Sequence, residues 1–131
     1  MFPKVDKTSP TPDSSEPFTP RAEYPRPILV RDQWQSLNGH WLFRVDPDNR
    51  GLTDAWFDEQ WTDGQTITVP FSMESAASGI AEPNGAAVVW YQREVIKPEA
   101  WDSRVVLRIG ASDFLTRVFV NGHEVGQHRG G

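Results

Sequence analysis

Apolar and polar residues alternate along much of the chain, and a period of two predicts β-strands rather than helices. The stretches that alternate in this way are WLFRV at 41–45, TITVP at 66–70, VVWYQREVI at 88–96 and RVVLRI at 104–109. RVVLRI is the clearest of them. The stretch FLTRVFV at 114–120 is apolar on both faces, which is typical of a central strand in a packed sandwich.

Turn-forming residues separate these strands. Asn121-Gly122 is the favoured pair for a type I′ turn because both residues tolerate positive φ, so VFVNGHEVG predicts a hairpin whose second strand has barely begun. DAWFDEQW predicts a single helical turn capped by Asp54, with Trp56 and Trp61 buried. The loop at 71–87 is too long for a simple connector, and such loops on rigid sheets often carry binding groups.

Short strands between turns that contain Gly and Pro predict an all-β fold, a β-sandwich of the jelly-roll type. A sandwich needs more strands after HEVG, so we expect this one to be incomplete at its C-terminus. The first stretch is rich in Pro, Ser and Thr and poor in large apolar residues. Residues 1–22 are therefore predicted to form a disordered arm, and residues 23–131 to form the partial domain.

Composition excludes several classes of function. The net charge of −5, from 18 acidic and 13 basic residues, argues against a nucleic-acid binder. Cysteine is absent, which excludes disulfides and thiolate metal sites. The sequence has no apolar run long enough to span a membrane and no signal-peptide pattern, so we expect a cytoplasmic protein.

No catalytic constellation is visible in the residues themselves. Glycoside hydrolysis needs two carboxylates facing each other across a sugar, and no such pair can be picked out from the spacing of the acidic residues. The three histidines lack metal-ligand spacing, and no serine lies in a G-x-S-x-G elbow. We therefore predict no catalytic residue, no metal and no cofactor on this chain. The six tryptophans suit a sandwich core, although tryptophan also stacks on sugars.

Four motif-bearing stretches follow one another in order: SLNGHWLFRVD at 36–46, ITVPFSMESAASGI at 67–80, VVWYQREVIKPEAW at 88–101 and RVVLRIGASDFLTRVFVNGHEVGQHRGG at 104–131. Together they resemble the N-terminal sugar-binding domain of family 2 glycoside hydrolases, which include β-galactosidases, β-glucuronidases and β-mannosidases. The resemblance extends from about Tyr24 to Gly131.

The resemblance implies a portion of a retaining glycosidase whose two catalytic glutamates lie in a barrel domain outside this chain, so the fragment alone is expected to be inactive. The first domain of such enzymes lends polar loop residues to the sugar pocket, and the candidates here are Glu74, Ser75 and Asn84. The implied partners are a β-galactoside or β-glucuronide and the remaining domains of the same enzyme. The full enzyme is expected to be a homo-oligomer.

The choice of sugar stays open at the level of sequence. WYQREV and the spacing of Asp46, Asn49, Gly51 and Trp56 resemble β-glucuronidases, whereas VPFSMESAASGI and VNGHEVGQHRGG look more like β-galactosidase-type members. We expect a β-galactosidase first and a β-glucuronidase second. The alternative is a free-standing carbohydrate-binding or assembly module.

Overall fold

The structure is a computed structural model that describes residues 19–101 and 104–131, so most of the predicted N-terminal arm lies outside the described residues. The strands are β1 (Gly39–Val45), β2 (Gln65–Val69), β3 (Val89–Gln92), β4 (Leu115–Val120) and β5 (His123–Arg129). Single turns of 3₁₀ helix occur at η1 (Pro27–Leu29), η2 (Trp56–Asp58) and η3 (Ala76–Ser78). No α-helix occurs in the described ranges, and both sheets are antiparallel. The all-β prediction is confirmed.

The first sheet has the strand order β2-β1-β3, and its inner face forms the core. Trp41 lies opposite Ile67, and Phe43 lies opposite Tyr91. Phe43 and Ile67 are fully buried, and Met73 from the following loop packs against them. The predicted alternation in 41–45 and 66–70 is therefore confirmed for Trp41, Phe43, Ile67 and Val69, which contribute to this core, whereas Val45 at the end of β1 is exposed.

A buried carboxylate shapes the turn after β1. Asp46 is only 2% exposed, and its oxygens accept hydrogen bonds from the backbone N–H groups of Arg50 and Gly51, each at 2.8 Å. The indole of Trp90 also donates to it, at 3.0 Å. Burial alone would raise the pKa of Asp46, but these three hydrogen bonds outweigh burial and hold it below the ordinary value of 3.8.

The second sheet is the β4–β5 hairpin, which meets the first sheet through aromatic rings. We call Trp56, Phe57, Trp61, Trp90 and Phe119 the aromatic cluster. Phe119 of β4 stacks on Phe57 with ring centroids 4.5 Å apart and lies 6.1 Å from the Trp90 ring. Because no backbone ladder joins the two sheets in the described residues, these rings hold the hairpin in place.

The predicted helical turn forms as η2, and Trp61 is buried as expected, whereas Trp56 is only half-buried. Its predicted cap is wrong. Ala55 occupies the N-cap position with a φ of 55°, and no side chain caps the turn. Asp54 instead forms an ion pair with Arg50 at 2.9 Å, four residues earlier in the chain. The carboxylate is thus engaged by a neighbouring cation rather than by the backbone of the turn.

Two strand predictions are wrong, one entirely and the other in its extent. The RVVLRI segment is not a strand, and Val105, Leu107 and Ile109 are 45–52% exposed. Alternation defines a face, but a strand also needs a neighbour to pair its backbone groups, and none of the described strands pairs with this segment. The segment 88–96 forms a strand only as far as Gln92, and Val95 beyond it is exposed.

The hairpin differs from its prediction in two ways. β4 pairs only with β5 in the described residues, so it is not a central strand there. β5 is a full strand of seven residues rather than the beginning of one. Its pairing includes a bulge beside Val118 and Phe119, and Arg117 forms a two-point ion pair with Glu124 across the ladder, at 2.5 and 3.1 Å.

The predicted Asn121-Gly122 turn is confirmed, since both residues have positive φ, at 49° and 78°. We predict that Gly122→Val destabilises the hairpin by about 1 kcal/mol or more, because a β-branched residue is strained at positive φ. A Cβ at this position would also lie 2.2 Å from a carboxylate oxygen of Asp58.

Thermal unfolding followed by circular dichroism measures the effect. The matched control is Gly126→Val in β5, where φ is not positive and the added Cβ would meet nothing within 4 Å. Equal melting temperatures for the two variants would contradict the assigned turn.

Candidate functional site

The long loop between β2 and β3 is folded against the core. Met73 is buried in the core, and Ile80 packs against it from further along the loop. The carbonyl of Met73 accepts a hydrogen bond from the backbone N–H of Glu82 at 3.0 Å, which closes the intervening residues into one unit. The loop thus presents its polar residues from a fixed base.

Ser75 shapes this loop. Its hydroxyl accepts a hydrogen bond from the N–H of Ala77 at 3.2 Å and so caps η3. Its carbonyl accepts from the hydroxyl of Ser78 at 2.7 Å, and that hydroxyl also accepts from the N–H of Ile80 at 3.1 Å. Both serines therefore have local structural partners.

Asn84 is likewise engaged within the loop. Its backbone N–H and its side-chain amide both donate to one carboxylate oxygen of Glu82, at 3.1 and 3.2 Å. The carbonyl of Glu82 accepts from the N–H of Gly85 at 3.2 Å, which completes a tight turn. Glu82 was not among the residues that the sequence singled out, because an acceptor two positions away leaves no periodic signal.

Glu74 is different, because its exposed carboxylate acts electrostatically on a residue from another element, Tyr91 in β3. A Cβ placed on Gly85 would lie 3.2 Å from Oε1 of Glu74, so Gly85 keeps this space open. Burial raises the pKa of the Tyr91 phenol above its ordinary value of 10.0, and the charge of Glu74 raises it further. The structure therefore brings Glu74, Gly85 and Tyr91 together, and we call them the Glu74–Tyr91 corner.

Tyr91 was missed as a site residue, because its place in the alternating stretch 88–96 indicated only a strand position. Its ring makes an edge-to-face contact with Phe43, with centroids 5.3 Å apart, while the residue is 41% exposed. The corner thus offers a carboxylate that accepts hydrogen bonds and a neutral phenol that donates them. Such a pair suits the recognition of sugar hydroxyls.

The tryptophans of the aromatic cluster and the core are used for packing. Three indole N–H groups have protein partners: Trp41 donates to the carbonyl of Leu37 at 2.7 Å, Trp61 to that of Trp56 at 3.0 Å, and Trp90 to Asp46. Arg44 also lies over the Trp61 ring, 4.5 Å from its centroid. These rings therefore contact other protein groups, and the corner is the candidate sugar contact among the residues of the loop and β3.

The part of the chain that the structure describes holds no group of three or more His, Cys, Asp or Glu side chains arranged to bind a metal ion. Among the same residues, no helix is both long and apolar enough to cross a bilayer.

Comparison with known proteins identifies the family. The family model "Glycosyl hydrolases family 2, sugar binding domain" matches residues 34–131, which include both sheets and the Glu74–Tyr91 corner. The chain belongs to glycosyl hydrolase family 2. The predicted family resemblance is thereby confirmed, and the part of the chain that matches is the sugar-binding domain of this family.

The relatives of this family 2 chain include proteins named β-glucuronidase from three organisms. The Paenibacillus borealis protein is 35% identical over 109 residues, the Homo sapiens protein 38% over 118 residues and the Mus musculus protein 36% over 107 residues. The alignments cover 82%, 82% and 74% of this chain, respectively. The chain spans only 16–18% of the length of these relatives.

We predict that Glu74→Gln lowers the pKa of Tyr91, because the variant removes the neighbouring negative charge while burial remains. Since the folded pKa lies above the unfolded one, the contribution of Tyr91 to stability is present below pH 10 and is lost as the pH rises further. In the variant the folded pKa of Tyr91 lies closer to its unfolded pKa, so the pH range over which this contribution is lost becomes narrower.

Ultraviolet titration of tyrosinate absorbance measures this pKa. The chain has two tyrosines, so a Tyr24→Phe background isolates Tyr91. Glu99→Gln serves as the charge-matched control, because it removes an exposed carboxylate that does not contribute to the raised pKa of Tyr91. An identical Tyr91 titration in both variants would show that Glu74 does not face the phenol.

Proposed function

We propose that this chain is the N-terminal sugar-binding portion of a retaining β-glycosidase that hydrolyses β-glucuronides. The observation that carries this proposal is the family 2 match together with relatives named β-glucuronidase at 35–38% identity. The sequence alone favoured β-galactosides. Because the relatives are named β-glucuronidase, we now place β-glucuronides ahead of β-galactosides as the substrate. A β-galactosidase is the competing outcome in the test below.

In this proposal the Glu74–Tyr91 corner contacts the sugar. The Glu74 carboxylate accepts hydrogen bonds from two neighbouring hydroxyls of a pyranose, and the Tyr91 phenol, kept neutral at physiological pH, donates one. Ser75 and Asn84 do not contact the sugar themselves in this proposal. Their hydrogen bonds fix the loop that presents Glu74. A charge-assisted hydrogen bond of this kind contributes about 1.5–3 kcal/mol when buried by the ligand.

The bond-breaking chemistry is assigned to residues outside this chain. A retaining glycosidase uses one glutamate as acid and base and a second as nucleophile, about 5 Å apart, with a covalent glycosyl-enzyme intermediate. Neither glutamate is placed on a residue here, and the chain alone is expected to be inactive. Its partners in the proposal are the carbohydrate and the remaining domains of a homo-oligomeric, cytoplasmic enzyme.

The test uses the product of the complete open reading frame that contains this chain. We expect kcat/KM for nitrophenyl β-glucuronide to exceed that for nitrophenyl β-galactoside by at least tenfold. We also expect Glu74→Ala to lower kcat/KM for the glucuronide by about tenfold or more, which corresponds to the loss of one charge-assisted hydrogen bond. Glu99→Ala is the control for an exposed carboxylate outside the corner.

Preference for the galactoside would overturn the choice of sugar but leave the glycosidase assignment standing. An unchanged kcat/KM in Glu74→Ala would remove the corner from the sugar site. Hydrolysis by the purified 131-residue chain itself would contradict the proposal that the catalytic glutamates lie outside this chain.

A further inference from the structure

A shallow groove of about 300 Å³ has a lining that shares no residue with the Glu74–Tyr91 corner. Its lining comes from two segments that are distant in sequence. One surrounds η1, and the other is the exposed stretch 104–109. The lining residues are Tyr24, Arg26, Leu29, Val30, Arg31 and Arg108. Three of these six are arginines, and no carboxylate is among them. We call this the arginine groove.

The arginines of the groove differ from others in the described part of the chain. Arg44, Arg50 and Arg117 each form an ion pair with a carboxylate. Arg93 donates to two backbone carbonyls, and Arg129 lies over the Phe114 ring. By contrast, within the described ranges no ion pair engages Arg26, Arg31 or Arg108, and the same is true of Arg21 and Arg104 outside the groove.

Three arginine residues line this one concavity, which carries an electrostatic cost. Like charges repel, and the chain as a whole carries a net charge of −5, so its average surface potential does not require a basic cluster. A concave surface concentrates the positive potential at its centre, and an anion bound there relieves the repulsion. Guanidinium groups bind carboxylates in a two-point geometry, which favours a planar anion.

The lining residues other than the arginines indicate which kind of molecule carries the bound carboxylates. Tyr24 packs edge-to-face on Trp34, with centroids 4.9 Å apart, so its ring is held in one orientation at the groove. Leu29 and Val30 add apolar surface to the lining and are more than half exposed. A fixed aromatic ring with small apolar patches suits the carbon face of a pyranose, and the arginines suit carboxylates attached to it.

We propose that the arginine groove binds anionic oligosaccharides whose sugar units are uronates, at a position separate from the sugar contact at Glu74. Carboxylates of the saccharide pair with Arg26, Arg31 and Arg108, and a sugar ring packs on Tyr24. The choice of a saccharide, rather than another carboxylate-bearing molecule, rests on the proposed function. The positive charge of the groove itself rests only on the residues that line it.

The test is calorimetric titration of the 131-residue chain with tetragalacturonate at low salt. The matched ligand is the neutral tetrasaccharide obtained by reducing its carboxyl groups. Inorganic phosphate is the third probe. We expect saturable binding of tetragalacturonate, at least tenfold weaker binding of both other probes, and loss of affinity as the salt concentration rises.

Variants locate the binding. Arg108→Ala and Arg26→Ala are each expected to weaken tetragalacturonate binding by about tenfold, as loss of a charge-assisted contact requires. Arg104→Ala removes an equally exposed arginine from outside the groove and is expected to have no effect. Melting curves of all three variants confirm that they fold alike, because each position is on the surface.

Equal binding of the neutral tetrasaccharide would overturn the proposal, and so would unchanged affinity in the two groove variants. Phosphate binding as tight as that of tetragalacturonate would replace the saccharide site with a general anion site. None of these results depends on hydrolysis. A failure of the proposed glycosidase activity and a failure of the arginine groove are therefore distinguishable.

Discussion

The stacking of Phe119 on Phe57 and Trp90 is the contact on which the arrangement of the two sheets depends. The hairpin and the three-stranded sheet share no backbone ladder in the described residues, so side chains must join them. Phe119 lies parallel to Phe57, with only 13° between the ring planes. Aromatic pairs of this kind each contribute about 0.5–1.5 kcal/mol beyond the area they bury.

The ring that receives Phe119 is itself held by polar groups. Trp90 donates to Asp46, whose carboxylate also organises the turn after β1, and Gly51 in that turn lies directly against the indole. A Cβ on Gly51 would approach Trp90 Nε1 to 2.4 Å, so only glycine fits there without movement. The aromatic cluster is therefore positioned by one buried carboxylate and one glycine.

β3 links this packing to the candidate sugar contact. Successive residues of a strand point to opposite faces, so Trp90 faces the aromatic cluster while Tyr91 faces the core beside Phe43. Gln92 adds to the rigidity of the strand, because its side chain accepts from Trp61 N at 2.8 Å and donates to the carbonyl of Glu59 at 2.6 Å. The corner formed by Tyr91 and Glu74 thus stands on a strand that is fixed on both faces.

Local chemistry explains which parts of the fold were predictable from sequence. The β1 and β2 alternation and the Asn121-Gly122 turn depend on residues within a few positions of one another, and they are found where the pattern placed them. RVVLRI shows the limit, because its alternation cannot supply a pairing partner. The αL conformation of Ala55 breaks the usual capping chemistry and leaves no trace in composition.

The candidate site was predictable only in part for the same reason. Glu74 was singled out by its place in a long loop, and the structure brings it to Tyr91, seventeen positions later and in another element. The partners of Ser75 and Asn84 lie within the loop, where hydrogen bonds two residues apart give them a local structural role. The arginine groove joins residues 82 positions apart, which no local pattern encodes.

The most direct test of this account is native-state hydrogen exchange of Phe119→Ala, with Phe114→Ala as the control for an exposed ring beside β4. The account predicts that the amides of β4 and β5 lose protection in Phe119→Ala, while those of β1 and β2 retain it. Phe114→Ala should leave both sheets unchanged. Unchanged protection of β4 and β5 in Phe119→Ala would contradict the claim that this ring holds the two sheets together.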